Sequence, residues 1–167
     1  MRRAWRGAWR QATKIGLGLA LLSAAAVSSA APRDPPYWAS IAASAAMLRT
    51  GPGTNFPATW RYVRPDLPVR VVQRLADWRR VVDPDGVEGW MRSNLLSDRR
   101  TALVVGGIQP LYARPDAGSR IDWRVEPGVV GRITRCAAGW CRFEVQKRSG
   151  YIETRGLWGV APDETVD

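Results

Sequence analysis

Two cysteines are the residues of this chain whose spacing most directly predicts a chemical bond. Cys136 and Cys141 enclose residues 137–140 between two strand-like runs. A four-residue hairpin loop would place the two Cβ atoms opposite each other, which favours a disulfide in an oxidising compartment. Chain entropy for so short a loop gives this bond about 2 kcal/mol. The spacing is not C-x-x-C, so a redox role is the lesser alternative, and two Cys without His leave a zinc shell short.

Catalytic chemistry has few candidates in this sequence. The chain has no His, which is the usual general base and the commonest metal ligand, and no nucleophile stands beside a base. Asp83, Asp85 and Glu88 suggest calcium, but a calcium loop of the helix–loop–helix kind has about twelve residues and ends on Glu. This run is shorter, and its Gly86 stands where a hairpin turn needs glycine. The sequence therefore predicts a turn without a metal ion at residues 83–86. For the protein as a whole we expect no cofactor and no enzyme activity.

Tryptophan is the residue type that points to binding. In the strand predicted over 140–145, alternation places Cys141, Phe143 and Val145 on one face and Trp140 on the other, beside Arg142 and Glu144. Trp78, near Arg80, is the equivalent residue earlier in the chain. A tryptophan on a wet face is either a lid over the end of the fold or part of a ligand platform, and aromatic anchors are favoured at recognition sites.

Three further tryptophans are predicted to be structural. Trp60 and Trp123 lie on strand-like runs between apolar neighbours, so we expect both in the core. Trp90 follows Gly89 in a strand that would close the fold, and it too is expected to be structural.

The elements that must position these residues are short strands separated by Gly/Pro turns. Residues 51–53 read Gly-Pro-Gly, and Asn55-Phe56-Pro57 after them is poor helix material, so a shaped loop between strands fits better than a phosphate loop. Short strands at this density of turn signals indicate a small antiparallel barrel or sandwich. The predicted strands are the second half of 37–47, then 58–63, 67–75, 78–82 and 87–92, followed by one helical turn at 93–96.

The pattern then repeats with small deletions. Pro52 matches Pro115 and Trp60 matches Trp123 at a spacing of 63, Trp78 matches Trp140 at 62, and Gly89-Trp90-Met91 matches Gly150-Tyr151-Ile152 at 61. Two units of this kind can each close their own core, unlike solenoid repeats that need neighbours. The apolar run at 101–105 is predicted to pair as an edge strand, so we expect the units to pack on each other.

The first thirty residues differ from the rest. Five basic residues accompany an apolar run of 13 residues at 15–27, and Ser28-Ser29-Ala30 supplies small residues before a cleavage point. This layout predicts a secretory signal peptide cleaved after Ala30, and hence a periplasmic or secreted protein. A spanning helix needs about 20 residues, so an uncleaved anchor, which would be the protein's membrane contact, is the lesser alternative.

Cleavage of the predicted signal peptide would lower the net positive charge of the protein. The chain has 25 Lys and Arg against 15 Asp and Glu, and five of the bases lie in the signal, which leaves +5 on the remainder. No Lys/Arg block of the length of an interaction tail appears, so nucleic acid is not a predicted partner. Attraction to an anionic envelope polymer stays open.

The predicted organisation has six segments. They are a signal peptide at 1–30, a loose lead-in at 31–36, a first unit at 37–98, a linker with a short strand at 99–107, a second unit at 108–160 and a C-terminal tail at 161–167.

The two units resemble the bacterial SH3-like domain family. The first does so through Leu48-Arg49-Thr50-Gly51-Pro52-Gly53-Thr54-Asn55-Phe56-Pro57, Trp78-Arg79-Arg80-Val81, Gly86, Gly89-Trp90-Met91 and Leu95-Leu96. The second does so through Pro115, Glu126-Pro127-Gly128, Trp140-Cys141-Arg142-Phe143 and Gly150-Tyr151-Ile152. The resemblance implies an all-β protein with two tandem small SH3-like β-barrels after the N-terminal signal helix. It also implies a mostly non-catalytic module that binds peptides or cell-wall peptidoglycan.

The same resemblance assigns the candidate ligand-binding residues. Trp78 and Trp140 are similar to the groove tryptophan at the start of the third barrel strand, and Tyr62, Phe56 and Tyr112 are further groove candidates by position. This leaves three hypotheses: a module for peptide or peptidoglycan, a protein that docks on an envelope partner without touching the wall, and an enzyme of wall metabolism. The absence of His argues against the third, which release of muropeptides by the purified protein would revive.

Overall fold

The computed structural model describes residues 33–167, and these form one compact unit. The predicted signal peptide lies outside the described residues. Between residues 33 and 167 there is no helix with the length and hydropathy needed to cross a membrane.

Antiparallel strands are the main regular structure of the described chain, with one 3-10 turn near the end of each repeat, at Ser93–Leu95 and Thr154–Gly156. The strands of the first unit (residues 37–97) are β1 Tyr37–Ile41, β2 Ala46–Arg49, β3 Ala58–Tyr62, β4 Pro68–Leu75, β5 Trp78–Val82, β6 Glu88–Arg92 and β7 Leu96–Ser97. Those of the second unit (residues 101–158) are β8 Thr101–Val104, β9 Gln109–Tyr112, β10 Ile121–Val125, β11 Val130–Ala137, β12 Trp140–Val145, β13 Arg148–Glu153 and β14 Leu157–Trp158.

Each unit is one seven-stranded antiparallel sheet, and the two sheets have the same topology. The order is β3-β2-β6-β5-β4-β1-β7 in the first and β10-β9-β13-β12-β11-β8-β14 in the second. The two sheets also share an irregularity of strand pairing. The register of β4 against β5 shifts between Val71 and Gln73, and that of β11 against β12 shifts at the matching place, between Ile133 and Arg135. The predicted all-β tandem repeat is confirmed.

Closure of each sheet into a barrel stays a prediction. The terminal strands are β3 and β7 in the first sheet and β10 and β14 in the second, and the hydrogen-bonded ladders of residues 33–167 do not join either pair.

The cores of the two units are packed with different residues at matching positions. In the first unit, Val69 and Val81 are fully buried on β4 and β5. In the second, the matching positions are Gly131 and Phe143, and the Phe143 ring occupies the space above Gly131, where an added Cβ would lie 2.4 Å from its Cζ. One large and one minimal side chain therefore replace two medium ones, which conserves core volume.

Most strand predictions are confirmed, but the first strand of each unit is placed differently. The predictions over 58–63, 67–75, 78–82 and 87–92 match β3 to β6. The run at 37–41, for which the sequence pattern predicts no strand, forms β1 between β4 and β7. The edge strand predicted at 101–105 is instead an interior strand, because β8 lies between β11 and β14. Both strands are interior because the two-residue strands β7 and β14 pair on their far sides.

The expected packing of the two units on each other is confirmed. The hydroxyl of Thr101 donates to the carbonyl of Asp66 at 2.7 Å, and Arg64 Nη2 donates to the carbonyl of Gly128 at 2.6 Å. Val130 of the second unit packs against the core of the first. These contacts bring residues far apart in the sequence into one structure.

The core positions predicted for Trp60 and Trp123 are wrong. Their side chains are 57% and 42% exposed. Both lie on terminal strands, β3 and β10, whose single ladder partners are β2 and β9. Only the last residue of each strand, Tyr62 or Val125, reaches the core. The apolar neighbours in the sequence therefore do not enclose these indoles.

Candidate binding surface

Two hairpin turns place the two tryptophans at matching points of the sheets. Ala137 pairs with Trp140 across β11 and β12, so the loop is the two residues Ala138 and Gly139, both with positive φ. Such a tight turn follows the right-handed twist of its strands, and it is shorter than the four-residue loop that the sequence suggested. In the first unit the corresponding pair is Leu75 and Trp78.

The disulfide prediction is confirmed. Cys136 and Cys141 are bonded and fully buried, one pair inward from the turn. The bond joins β11 to β12 directly beside Trp140, so it braces the strands that present this indole.

The predicted alternation of β12 is also confirmed. Cys141 and Phe143 are buried and Val145 packs against the core, whereas Trp140, Arg142 and Glu144 are half-buried on the opposite, outer face. Trp140 is therefore neither a core residue nor freely exposed.

An aromatic platform forms on this outer face, made by Tyr112, Trp140 and Tyr151. Tyr151 lies directly across from Arg142 on one side and Tyr112 on the other, and opposed residues of antiparallel strands share a face. The rings of Tyr112 and Trp140 are 5.5 Å apart between centroids and inclined at 82°, the edge-to-face arrangement that aromatic pairs prefer. Tyr112, predicted by position alone, is thus brought together with Trp140.

Tyr151 is not among the ligand residues predicted from the sequence. Its signal was present there, because it follows Gly150 in the repeat of Gly89-Trp90-Met91 and alternation puts it outward when Ile152 is inward. Arg142 holds its guanidinium 5.8 Å from the Tyr151 ring and donates to the Ser149 hydroxyl at 2.8 Å. A cation is therefore positioned at the margin of the platform.

A small hollow of about 50 Å³ adjoins the platform. It is bounded by Tyr112, Gln109, Pro110 and the ion pair between Glu153 and Arg155. Glu153 lies opposite Trp140 in the ladder of β12 and β13. The second unit therefore offers aromatic surface, hydrogen-bonding groups and charges of both signs within one patch.

The first unit presents a different surface at the same place. Trp78 lies across from Arg92, whose guanidinium is 5.9 Å from the indole, and Trp90 lies across from both Arg80 and Arg49. Arg49 stands where the second unit has Tyr112. Arg80 is ion-paired with Glu88 at 2.7 Å, which leaves Arg49 and Arg92 in excess. This face is therefore more basic than that of the second unit, and its two tryptophans do not form an edge-to-face pair.

Phe56 supports the Gly-Pro-Gly turn. Its ring covers Gly51 and Gly53, where added Cβ atoms would lie 2.4 and 3.2 Å from ring carbons. Arg49 donates to the carbonyls of Thr54 and Phe56 at 3.2 and 2.7 Å. A substitution at Phe56 would therefore disturb the turn as well as any ligand contact.

Tyr62 is buried and does not line an open groove. Its hydroxyl donates to Asp83 Oδ2 at 2.8 Å, while Asp83 Oδ1 accepts from the N–H groups of Asp85 and Val87 at 3.0 and 2.8 Å. This arrangement closes the turn predicted at 83–86, with Gly86 at φ 81°. Asp83 is thus a turn-forming residue, and in the described part of the chain no three His, Cys, Asp or Glu are grouped as a metal would need.

We expect the free energy of unfolding to fall as pH rises above about 10, and Tyr62→Phe to remove part of that fall. Burial, then the hydrogen bond and charge of Asp83, raise the pKa of the Tyr62 phenol well above its ordinary value of 10.0. Above that value the unfolded chain binds fewer protons than the folded protein, so stability decreases there and is complete below it. Urea unfolding of both proteins between about pH 8 and pH 11 measures the difference. At neutral pH the variant should lose about 1–2 kcal/mol, because Asp83 loses a donor; parallel pH curves would contradict the assignment.

Comparison with known families decides what these units are. The bacterial SH3 domain matches residues 42–98 and again residues 105–159. The chain belongs to the bacterial SH3 domain family. The two matched regions cover the two sheets except for their first strands, β1 and β8, and each contains its outward tryptophan, Trp78 or Trp140.

Similar solved structures share low sequence identity with this bacterial SH3 protein. NlpC2 from Trichomonas vaginalis is 14% identical, with 76% of this chain and 49% of that chain covered and a TM-score of 0.34. An NlpC/P60 family protein from Bacillus cereus is 16% identical, with 72% of this chain and 55% of that chain covered and a TM-score of 0.33. This chain therefore spans about half the length of these proteins. A comparison with curated proteins gives no match.

Proposed function

We propose that this protein is an exported, non-catalytic binding module that recognises peptide or peptidoglycan in the bacterial envelope. The observation that carries the proposal is the aromatic platform of Tyr112, Trp140 and Tyr151, which is half-buried, edged by charges and held by a disulfide-braced hairpin. Aromatic anchors of this kind dominate recognition energy because they contribute large contact area with little loss of side-chain freedom. Membership of the bacterial SH3 domain family supports a binding role, and the disulfide supports an oxidising compartment.

The platform suits a peptide stem in particular. Its rings offer apolar surface to alanine-like side chains, while Arg142 and the ion pair of Glu153 and Arg155 offer groups of both signs to carboxylates, amines and amides. Small-ligand sites combine apolar walls with a few placed polar groups in the same way. The basic face around Trp78 would favour a more acidic part of the same polymer.

Trp140→Ala should weaken co-sedimentation with purified peptidoglycan by about thirtyfold in affinity. The reason is that a central aromatic anchor contributes about 2 kcal/mol or more. Trp60→Ala is the matched control, because it removes an exposed indole from a terminal strand outside the platform. Circular dichroism should show that both variants are folded, with a fall of a few degrees in the melting temperature of Trp140→Ala because it loses the edge-to-face contact with Tyr112. Equal binding by the wild type and a Trp78→Ala, Trp140→Ala double variant would end the proposal.

A second function, docking on an envelope protein without wall contact, is favoured by the exposed indoles of the terminal strands. Trp60 on β3 and Trp123 on β10 lie on strand edges that have no ladder partner within residues 33–167, and such edges accept an added strand from a partner. Cross-linking in the periplasm distinguishes the two functions. A single protein partner that is lost with Trp60→Ala, together with undiminished wall binding by Trp140→Ala, would favour docking.

A further inference from the structure

A second cleft lies between the two units and shares no residue with the aromatic platform. Its volume is about 610 Å³, within the range of small-ligand sites. The first unit contributes the start of β1 and one residue of β4, and the second contributes β14 and the residues after it. The lining includes three arginines, three aromatic residues and one carboxylate: Arg33, Arg70, Arg100, Tyr37, Trp38, Trp158 and Glu164.

The aromatic wall of the cleft is built jointly by both units. Trp38 on β1 and Trp158 on β14 meet edge to face, with ring centroids 4.7 Å apart and planes at 76°. Tyr37 lies beneath the Arg33 guanidinium at 4.7 Å. The cleft thus depends on the packing of the two units, and neither unit contains it alone.

The three arginines differ in whether an acidic side chain of the protein already pairs with them. Arg33 is paired with Asp98, and Arg100 binds Glu164 through both terminal nitrogens at 2.5 and 3.1 Å. Arg70 lies directly across from Trp38 in the ladder, is exposed, and makes no ion pair within residues 33–167. With Asp98 and Glu164 counted, the charge of Arg70 is the one positive charge of this lining that has no acidic partner within residues 33–167.

Glu164 shows that this environment stabilises a carboxylate. Burial works to raise the pKa of Glu164, but hydrogen bonds from Arg100 and the Ala161 N–H, with the charges of Arg100 and Arg33, hold that pKa below its ordinary value. A bidentate arginine is the usual protein partner of a carboxylate. Arg100 also keeps its Nε buried with no acceptor in the described part of the chain, so it is not saturated by Glu164.

We propose that the cleft binds a carboxylate-bearing peptide, with Arg70 as the principal ligand to the carboxylate. The unpaired charge of Arg70 favours an acidic ligand, and the apolar wall made by Trp38, Trp158, Leu157 and Val160 favours apolar groups beside the acid. An acidic peptide supplies both, whereas a phosphate alone would leave that wall without a partner. This inference goes beyond the proposed wall-binding function because it uses no residue of the aromatic platform.

The test is calorimetric titration of the full chain with the peptide Gly-Glu-Leu-Glu-Ala, which has a free carboxyl terminus. Its counterpart, with Gln for Glu and an amidated end, is the ligand control. Arg70→Glu should weaken binding of the acidic peptide by about tenfold or more, because a charge-assisted contact becomes a repulsion. The matched control is Arg124→Glu, which reverses an exposed strand arginine of β10 with no ion pair in residues 33–167 and should leave the affinity unchanged.

Glu164→Gln should change the affinity for the acidic peptide in the opposite direction from Arg70→Glu. Removing the internal carboxylate frees Arg100 and raises the excess charge, so the acidic peptide should bind several-fold more tightly at low salt. A loss of folding could not produce that gain. In a two-dimensional NMR spectrum, the indole N–H signals of Trp38 and Trp158 should shift on titration while that of Trp140 stays in place.

Three outcomes would overturn the proposal. The first is equal affinity for the acidic and amidated peptides. The second is an equal loss of affinity in Arg70→Glu and Arg124→Glu. The third is binding of inorganic phosphate or duplex DNA that matches the peptide in affinity and in the indole shifts. Since Trp140→Ala leaves the cleft intact, peptide binding that survives this variant while sedimentation with peptidoglycan is lost would separate this site from the platform.

Discussion

Phe143→Ala should destabilise the protein by about 3–5 kcal/mol, the range found for large aromatic truncations in cores. Phe143 is fully buried at the centre of the second core, and its ring covers Gly131, which has no side chain of its own to fill the space. The cavity would therefore be lined on one side by bare backbone, which cannot collapse inward. Urea unfolding followed by tryptophan fluorescence measures the loss.

Phe56→Ala is the control for this truncation, because it makes the same chemical change at a side chain that is 38% exposed. We expect less than half the loss, since Phe56 covers the turn at residues 51–53 and fills no core. A comparable loss in both variants would contradict the view that Phe143 and Gly131 form one packing unit. The first unit should keep its own transition if the two units unfold separately.

Gly89→Val should cost about 3 kcal/mol, at the upper end of what overpacking costs in cores. An added Cβ at Gly89 would lie 2.6 Å from Leu48 Cγ and 2.8 Å from the backbone carbonyl of Arg49. The side chain can move, but the carbonyl belongs to β2, and β2 pairs with β6 beside this point. The variant should therefore separate β2 from β6 and displace Trp90, detectable as lost protection of the β6 amides from hydrogen exchange.

Gly107→Val is the matched control, because nothing lies within 4 Å of its added Cβ and its φ is not in the left-handed region. Its effect should stay within about 0.5 kcal/mol, as for other open surface sites. Gly150, at the same place in the second unit, meets Leu111 and the carbonyl of Tyr112 at 2.8 and 3.1 Å and should behave like Gly89. The glycine of the repeated Gly–aromatic–apolar sequence is thus required for close approach of two strands. Tolerance of Val at both glycines would contradict this.

Features that depend on local pattern could be predicted from the amino-acid sequence. Alternation assigned the faces of β12, turn residues placed Asp83 to Gly86, and the spacing of landmarks revealed two copies of one unit. The pairing of Cys136 with Cys141 could be predicted because the two residues are close in the chain. Trp78 and Trp140 could be placed outside the core for a similar reason, since the side-chain period of a strand is two.

Features that depend on distant neighbours became visible only in the folded chain. β1 has a weak local signal, and the sequence predicts β8 as an edge strand. Both are interior strands because β7 and β14 return to pair with them. Trp60 and Trp123 are exposed because the neighbours of a terminal strand are set by topology. Tyr62 is buried because it packs in the core of the first unit, where Asp83, remote in sequence, accepts its hydroxyl.

The cleft between the units is the clearest case of this kind. Its two tryptophans, Trp38 and Trp158, lie 120 positions apart and belong to different copies of the repeat. Each alone looks like an ordinary strand residue, and the equivalent positions in the other unit are Thr101 and Ser97. Alternation along a strand indicates which face of the sheet a residue occupies. Its partner across an interface depends on how the folded surfaces of the two units pack together.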